Sequence, residues 1–163
     1  MEDFSTRVKN KALEYGADLV GITSVDRLKT APKGFRPEDY LEGARSVIVI
    51  ASHLPYSIID SWEFSPFSYL YYGYVLINKE LGRISFYLSK FLEKEGYRTF
   101  PVVPTVYMQD FDYERLDGVF SHLHAAYAAG LGEFGFSNCF ITPQYGTRVR
   151  FCSIITEAEL KPD

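Results

Sequence analysis

The chain contains three histidines and two cysteines, the side chains most often used to bind metals or to carry acid–base and nucleophilic chemistry. His122 and His124 are two positions apart, so on a helix they face different ways and cannot hold one metal as an i, i+4 pair does. Cys139 and Cys152 are too far apart for a C-x-x-C site. The spacing therefore predicts no metal site. It leaves His53 and His122 open as ligand contacts, or as ordinary residues at a strand end and a helix start.

Gly130, Gly132 and Gly135 form a G-x-G-x-x-G run, which in dinucleotide-binding proteins lies between a strand and a helix. Here the order is inverted, because residues 121–129 are alanine-rich and helical in pattern while residues 136–143 are aromatic and strand-like. This context argues against a Rossmann site. It favours a helix C-terminus followed by main chain that turns sharply or lies against a flat surface, since glycine has no side chain to prevent either.

The elements that must position these residues follow from the spacing of apolar side chains. Residues 46–51 are apolar without alternation, which predicts a strand that is covered on both faces. The connection 53–68 contains Pro55 and Pro66 and is expected to be a long loop. The pattern predicts one α/β or α+β domain of three layers over residues 1–163. The predicted helices are 2–15, 37–41, 69–95 and 119–129, and the predicted strands are 18–22, 46–51, 97–103, 140–142 and 148–155.

Composition narrows the class of protein. Acidic residues outnumber basic ones by 21 to 17, which argues against a duplex nucleic-acid partner and leaves room only for a small tRNA contact. No apolar run approaches the roughly 18 residues that span a bilayer, and residues 1–4 do not resemble a signal peptide. Together with the low cysteine count, this predicts a cytoplasmic protein without membrane contact. The 13 tyrosines either pack half-buried or line a site for a large, partly polar ligand.

Residues 121–160 carry a resemblance to a known family. They follow the pattern A-G-L-G-x-x-G-x-x-x-L-L-x-x-P-x-x-G, with a later T-[DE], of epoxyqueuosine reductases and reductive dehalogenases. Upstream, residues 17–22, 45–50 and 96–98 resemble that family's opening strand, the strand before its first cofactor loop and the end of its long helix. The positions that match the pattern are Gly130, Leu131, Gly132, Gly135, Pro143, Gly146 and Thr156.

The resemblance implies a nitroreductase-like three-layer domain with a central mixed sheet flanked by helices. It also implies cobalamin, bound with its lower base detached from cobalt. No Asp-x-His-x-x-Gly run is present, so cobalt is not expected to be held by a protein histidine in that way. The family's iron–sulfur clusters lie in a C-terminal ferredoxin-like domain, whose cysteine array would begin after Thr156 and is missing here. We therefore expect either a truncated chain or a free-standing corrinoid module, inactive without a ferredoxin-like electron donor.

The resemblance also suggests site residues. The family's proton-donating aspartate follows the strand after the long helix, but residues 101–107 contain no aspartate. The candidates that remain for proton donation are Tyr107, Asp110 and Asp117. The absent aspartate argues against tRNA epoxide reduction in particular. The expected cofactor contacts are His53, Ser121, His122, Gly130, Gly132, Gly135, Ser137, Asn138, Thr142, Pro143, Tyr145 and Gly146.

Two other functions stay open on the sequence. One is a corrinoid carrier without catalysis, which the missing clusters favour for this chain alone. The other is a flavin reductase of the nitroreductase type that uses FMN, which the same fold allows. The substrate is not readable from the sequence, and pairing as a homodimer is also left open.

Overall fold

The computed structural model of the chain describes residues 3–60, 65–104 and 120–163. Its helices are α1 (Phe4–Glu14), a 3₁₀ turn (Val25–Leu28), α2 (Pro37–Tyr40), α3 (Tyr56–Asp60), α4 (Ser65–Ser68), a π-helical segment (Tyr69–Leu76), α5 (Ile77–Lys94) and α6 (His122–Ala128). Its strands are β1 (Leu19–Ser24), β2 (Ser46–His53), β3 (Thr99–Pro101), β4 (Glu133–Phe134), β5 (Phe140–Ile141) and β6 (Val149–Thr156).

Four strands form one sheet in the order β1-β2-β6-β3, and β4 pairs with β5 in a separate hairpin. The sheet is flanked by helices, as predicted. Where the sequence suggested a mixed sheet, the described strands pair antiparallel throughout. β3 lies at an edge, which suits Pro101 because proline has no N–H to give to a second neighbour. β2 and β6 are central, and the predicted burial of β2 is confirmed, since residues 46–51 are all buried.

One face of the sheet packs on α1 and α5. Helix α5 has 18 residues and places leucines and isoleucines on one stripe, so it packs on β2, β6 and β3 with branched aliphatic side chains, while α1 packs on β1. The inward side chains on this face are Ile22, Ile48, Ile50, Cys152 and Ile154, packed on Val8, Ala12, Leu81, Ile84, Leu88 and Leu92. We call this the closed face. Burial raises the pKa of the Cys152 thiol to about 12, so that cysteine is an inert core residue.

The other face packs on α6 and the 3₁₀ turn. Helix α6 has only seven residues, and the apolar side chains by which it and its C-cap pack on the sheet are small: Ala125, Ala126 and the C-cap Ala129. A Cβ on Gly21 of β1 would lie 2.9 Å from the Ala129 carbonyl oxygen, so glycine is needed there for the helix to approach. Beside α6 the described residues leave a cleft that is lined in part by Val149 and Phe151 of β6. We call this the open face.

Two predicted elements differ from the structure. The segment 53–68, expected as loop, contains α3 and α4, because Pro55 directly precedes one helix and Pro66 lies in the first turn of the other, where proline is tolerated. The predicted helix 69–95 is π-helical over its first eight residues. There Arg150 Nε donates to the Gly73 carbonyl oxygen at 2.7 Å, and a side-chain donor on a helix carbonyl is a known cause of such departures.

In the described ranges, none of the helices combines the length and hydrophobicity needed to cross a membrane.

Candidate functional site

The start of α6 fixes two of the predicted site residues. Ser121 is the N-cap, and its Oγ accepts a hydrogen bond from the His124 N–H at 3.4 Å while lying 2.6 Å from His124 Nδ1. The Ser121 hydroxyl is therefore already used to cap the N-terminus of α6. His124 is exposed and its ring lies 5.1 Å from that of Phe134. As expected from their spacing, the two helix histidines face different ways.

Both ring nitrogens of His122 lie within hydrogen-bond distance of other groups of the protein. Nε2 lies 2.9 Å from the Val103 carbonyl oxygen and Nδ1 lies 2.9 Å from Ser153 Oγ on β6. A carbonyl only accepts, so Nε2 carries the proton and Nδ1 accepts from the serine hydroxyl. Burial lowers the pKa of His122, which keeps the ring neutral. His122 thus offers no nitrogen to a metal, although its ring lines a cleft described below.

The end of α6 is a Schellman motif. The N–H of Gly130 donates to the Tyr127 carbonyl oxygen and the N–H of Leu131 donates to the Ala126 carbonyl oxygen, both at 3.0 Å. Gly130 has a φ of +70°, and a Cβ there would meet no atom of the described residues within 4 Å. The glycine is needed for its backbone conformation, and its N–H closes the helix.

Gly132 and Gly135 are held against the neighbouring hairpin strand. A Cβ on Gly132 would lie 2.2 Å from the Ile141 carbonyl oxygen, and one on Gly135 would lie 2.8 Å from Ile141 Cδ1. The N–H of Gly135 donates to Cys139 at 2.7 Å. The sequence predicts that these glycines expose main chain to a ligand. In the structure, Gly132 and Gly135 allow the turn to pack on β5, because a side chain at either position would collide with that strand.

The remaining rim residues divide into two groups. Ser137 and Asn138 are exposed at the tip of the β4–β5 turn, where Asn138 has a φ of +63°. Thr142 is buried, and its Oγ1 donates to the Gly146 carbonyl and accepts from the Tyr145 N–H. Its hydroxyl is therefore used by its own tight turn. Gly146 has a φ of +60° in that turn, so its role there is conformational.

His53 lies in a separate cluster at the end of β2. Its ring stacks on Tyr145 with centroids 4.5 Å apart and planes 9° apart. Asp18 Oδ2 accepts from the His53 main-chain N–H at 2.8 Å and lies 2.9 Å from His53 Nδ1, outside hydrogen-bond direction. The register pairs His53 with Val149 across β2 and β6, on the open face.

A wide cleft of about 950 Å³ opens on this same face. Its wall is mainly apolar and aromatic, and polar side chains lie among these groups. The apolar lining includes Leu28, Ala31, Pro32, Phe35, Phe120, Val149 and Phe151, and the polar lining includes Arg27, Thr30, Asn78, Ser121, His122, His124 and Arg150.

A second cleft of about 800 Å³ lies beside the glycine turn. It is lined by four of the predicted contacts, Gly130, Gly132, Gly135 and Pro143. Arg27, Tyr127 and Ala128 line both clefts, so the two adjoin across the C-terminal half of α6. Arg27 Nη1 is fixed there by the carbonyl oxygens of Ala128, at 2.8 Å, and Asp163, at 2.6 Å.

Two residues that line the wide cleft, Asn78 and Arg150, are not among the site residues that the sequence predicts. Asn78, in the first turn of α5, has a buried Oδ1 with no hydrogen-bond partner among the described residues. Leaving such an atom unpaired costs about 1–3 kcal/mol. The sequence predicts Arg150 only as part of a strand, yet its guanidinium lies over the Tyr74 ring at 4.6 Å and the residue lines the wide cleft. Neither residue belongs to a motif, so only their placement identifies them.

The three candidate proton donors, Tyr107, Asp110 and Asp117, lie outside the described residues, so their role stays a prediction. Within residues 3–60, 65–104 and 120–163, no group of three or more histidine, cysteine, aspartate or glutamate side chains is arranged to hold a metal ion. Both cysteines are free, Cys139 on the surface and Cys152 in the core.

Comparison with solved structures identifies the fold. Over 96% of its length the chain superposes on selenomethionine-labelled epoxyqueuosine reductase with a TM-score of 0.69 and 20% identity, covering 46% of that enzyme. The epoxyqueuosine reductase of Streptococcus thermophilus gives 0.68 and 21% identity, with 99% of this chain and 48% of that one covered. A reductive dehalogenase whose structure suggests a mechanism for B12-dependent dehalogenation gives 0.68 and 17% identity, with 96% and 21% covered. No family model and no curated protein matches the sequence.

These likenesses show that the chain has the fold of the corresponding part of these reductases, which confirms the resemblance drawn from residues 121–160 at the level of fold. The chain spans about half the length of the epoxyqueuosine reductases and about a fifth of that of the dehalogenase.

Proposed function

We propose that this chain is a corrinoid-binding domain of a reductase, with the corrin plate in the wide cleft and the detached nucleotide tail in the cleft beside the glycine turn. The observation that supports this most directly is the pair of clefts adjoining on the open face, with Arg27, Tyr127 and Ala128 common to both. A ligand made of a broad plate and a flexible tail needs two connected spaces of this kind, larger than one pocket for a drug-sized molecule.

The residues present fit such a ligand. A corrin is a flat apolar ring edged with amide side chains, and the wide cleft offers an apolar and aromatic wall with hydroxyl, amide and guanidinium groups among it. The neutral, internally bonded His122 also suits a corrinoid whose cobalt receives no protein histidine. The fold supports the same ligand, since one of the similar structures is of a B12-dependent dehalogenase.

Each group in the cleft has a distinct task in this proposal. Phe120 and Phe151 provide flat apolar surface and keep water from the ring. Tyr127, which is 57% exposed on α6, separates the plate from the tail. Arg27, fixed by two carbonyl oxygens, presents its remaining guanidinium N–H groups to the phosphate of the tail.

When bound, the corrinoid would supply a reducible cobalt to a substrate. The described residues include no cluster of cysteines, so the electrons would come from a ferredoxin-like donor. The proton donor would come from the segment that contains Tyr107, Asp110 and Asp117, which follows Pro104 on the cleft wall.

Titration of the purified chain with hydroxocobalamin and, separately, with FMN tests the proposal. We expect the corrinoid to bind with the absorbance of a base-detached form and FMN not to bind. Binding of FMN alone would overturn the proposal in favour of a flavin reductase. Adding a reduced ferredoxin then separates a reductase domain, in which the absorbance of the bound corrinoid changes to that of a reduced form, from a carrier, in which it does not.

A further inference from the structure

Asn78 occupies an unusual position for an asparagine. It lies in the first turn of α5 and lines the wide cleft, yet its Oδ1 is buried and has no hydrogen-bond partner among the described residues. Buried amide oxygens are nearly always paired, because losing water without gaining a donor is unfavourable. An unpaired amide oxygen on a residue that lines a cleft therefore calls for an explanation.

The surroundings hold Asn78 in place. Just before it, Arg150 Nε donates to the Gly73 carbonyl oxygen at 2.7 Å, and Arg150 Nη2 lies 3.3 Å from the Tyr69 hydroxyl. Just after it, Leu81 and Ile84 anchor α5 in the closed-face core. The first turn of α5 is therefore held by contacts on both sides of Asn78. The fold, and not a hydrogen bond of the Asn78 amide, sets the position of this residue on the cleft wall.

We infer that Asn78 is a ligand-binding residue that accepts a hydrogen bond from an amide N–H at the rim of the corrin plate. This rests on the proposed function and deepens it, since it names the group that is recognised. The terminal torsion of asparagine is soft, so a small rotation brings Oδ1 to a donor in the cleft. The unpaired atom in the free protein becomes paired in the complex, and the ligand supplies the missing donor.

This role predicts opposite effects on stability and on binding. Replacing Asn78 by leucine, a side chain of similar shape, removes the unpaired oxygen, so the urea midpoint is expected to stay equal or rise. The same variant loses one hydrogen bond to the ligand, so the dissociation constant for hydroxocobalamin should rise about 3- to 10-fold. An asparagine with an internal structural task would show a lower midpoint instead.

Ser89 provides a matched control on the same helix. In the described part of the chain its Oγ is also buried without a hydrogen-bond partner, but the residue lines neither cleft. Ser89→Ala should keep or raise the urea midpoint and leave hydroxocobalamin binding within about twofold of the parent chain. If both variants weaken binding equally, the effect of Asn78→Leu comes through α5 as a whole, and the inference is wrong.

A second ligand, cobinamide, tests which part of the corrinoid Asn78 contacts. Cobinamide keeps the amide rim but lacks the nucleotide tail, so Asn78→Leu should weaken cobinamide and hydroxocobalamin by the same factor. Loss confined to hydroxocobalamin would place Asn78 against the tail and overturn the inference. If the unchanged chain binds neither corrinoid, the proposed function itself fails. If it binds both and Asn78→Leu binds them equally well, only the role of Asn78 is wrong.

Discussion

The two faces of the central sheet are covered by different kinds of side chain. The closed face is covered by the 18 residues of α5 and by α1, and its inward side chains are almost all branched aliphatics without exposure. The open face is covered by the seven residues of α6, which approaches through alanines and Gly21, and by phenylalanines at its margins. Long aliphatics fill the space over the closed face, whereas the described residues of the open face leave a cleft beside α6 that Val149 and Phe151 help to line.

The buried polar groups divide less sharply than the apolar ones. The His122–Ser153 pair and the unpaired Asn78 oxygen lie at the cleft of the open face, while the closed face contains the inert Cys152 and, on α5, the unpaired Ser89 oxygen. Asn78 differs from Ser89 in that it lines the cleft. The closed face is thus a packed core, and the open face carries the cleft of the proposed ligand site.

The largest effect is expected at the glycine turn of the open face. Gly132→Val should lower the free energy of unfolding by at least about 4 kcal/mol, measured by urea denaturation, because its Cβ would lie 2.2 Å from the Ile141 carbonyl oxygen. Gly130→Ala is the control, with a cost of about 1–2 kcal/mol from the positive φ alone. Equal effects of the two substitutions would show that the turn is not held against β5. If Gly132→Val loses corrinoid binding, the collision with Ile141 already accounts for the loss. That variant therefore does not by itself show where the ligand binds.

The next effect tests the division of labour between the faces. Leu88→Ala on the closed face should cost about 2–5 kcal/mol of unfolding free energy and leave the corrinoid affinity of the folded chain unchanged. Tyr127→Ala on the open face should change stability by about 0.5 kcal/mol or less, because the side chain is mostly exposed, yet weaken corrinoid binding. If the two variants affect stability and affinity in the same proportion, the faces do not have separate roles.

The smallest effect concerns the pH dependence of the open face. Burial lowers the pKa of His122 below its ordinary 6.5, so between these values the unfolded chain binds more protons than the folded chain. The contribution of the neutral ring is complete above pH 6.5 and declines as the pH falls, with a slope of at most about 1.4 kcal/mol per pH unit. His122→Gln should flatten this slope between pH 7 and 5 in urea titrations. A slope that the substitution leaves intact would assign the titration to another group.

Local pattern predicted a large part of the fold. Residues 4–14, 46–53 and 149–156 form the expected helix and strands, because their apolar spacing has few alternatives. The segment 53–68 was mistaken for loop, since prolines mark loops and first turns of helices alike. Of the expected site residues, those at the glycine turn and the start of α6 do line the two clefts, whereas Thr142 and His53 are taken up by contacts of their own.

The sequence by itself determined that a helix ends at Gly130, that β2 is covered on both faces and that one helix is long and amphipathic. These features depend on residues close together along the chain. Only the tertiary structure decided that Gly132 packs on the Ile141 carbonyl, that His122 is neutral between Val103 and Ser153, and that Asn78 reaches the cleft unpaired. These features join segments far apart in sequence, and no local pattern records which distant groups will meet when the sheet and its helices pack together.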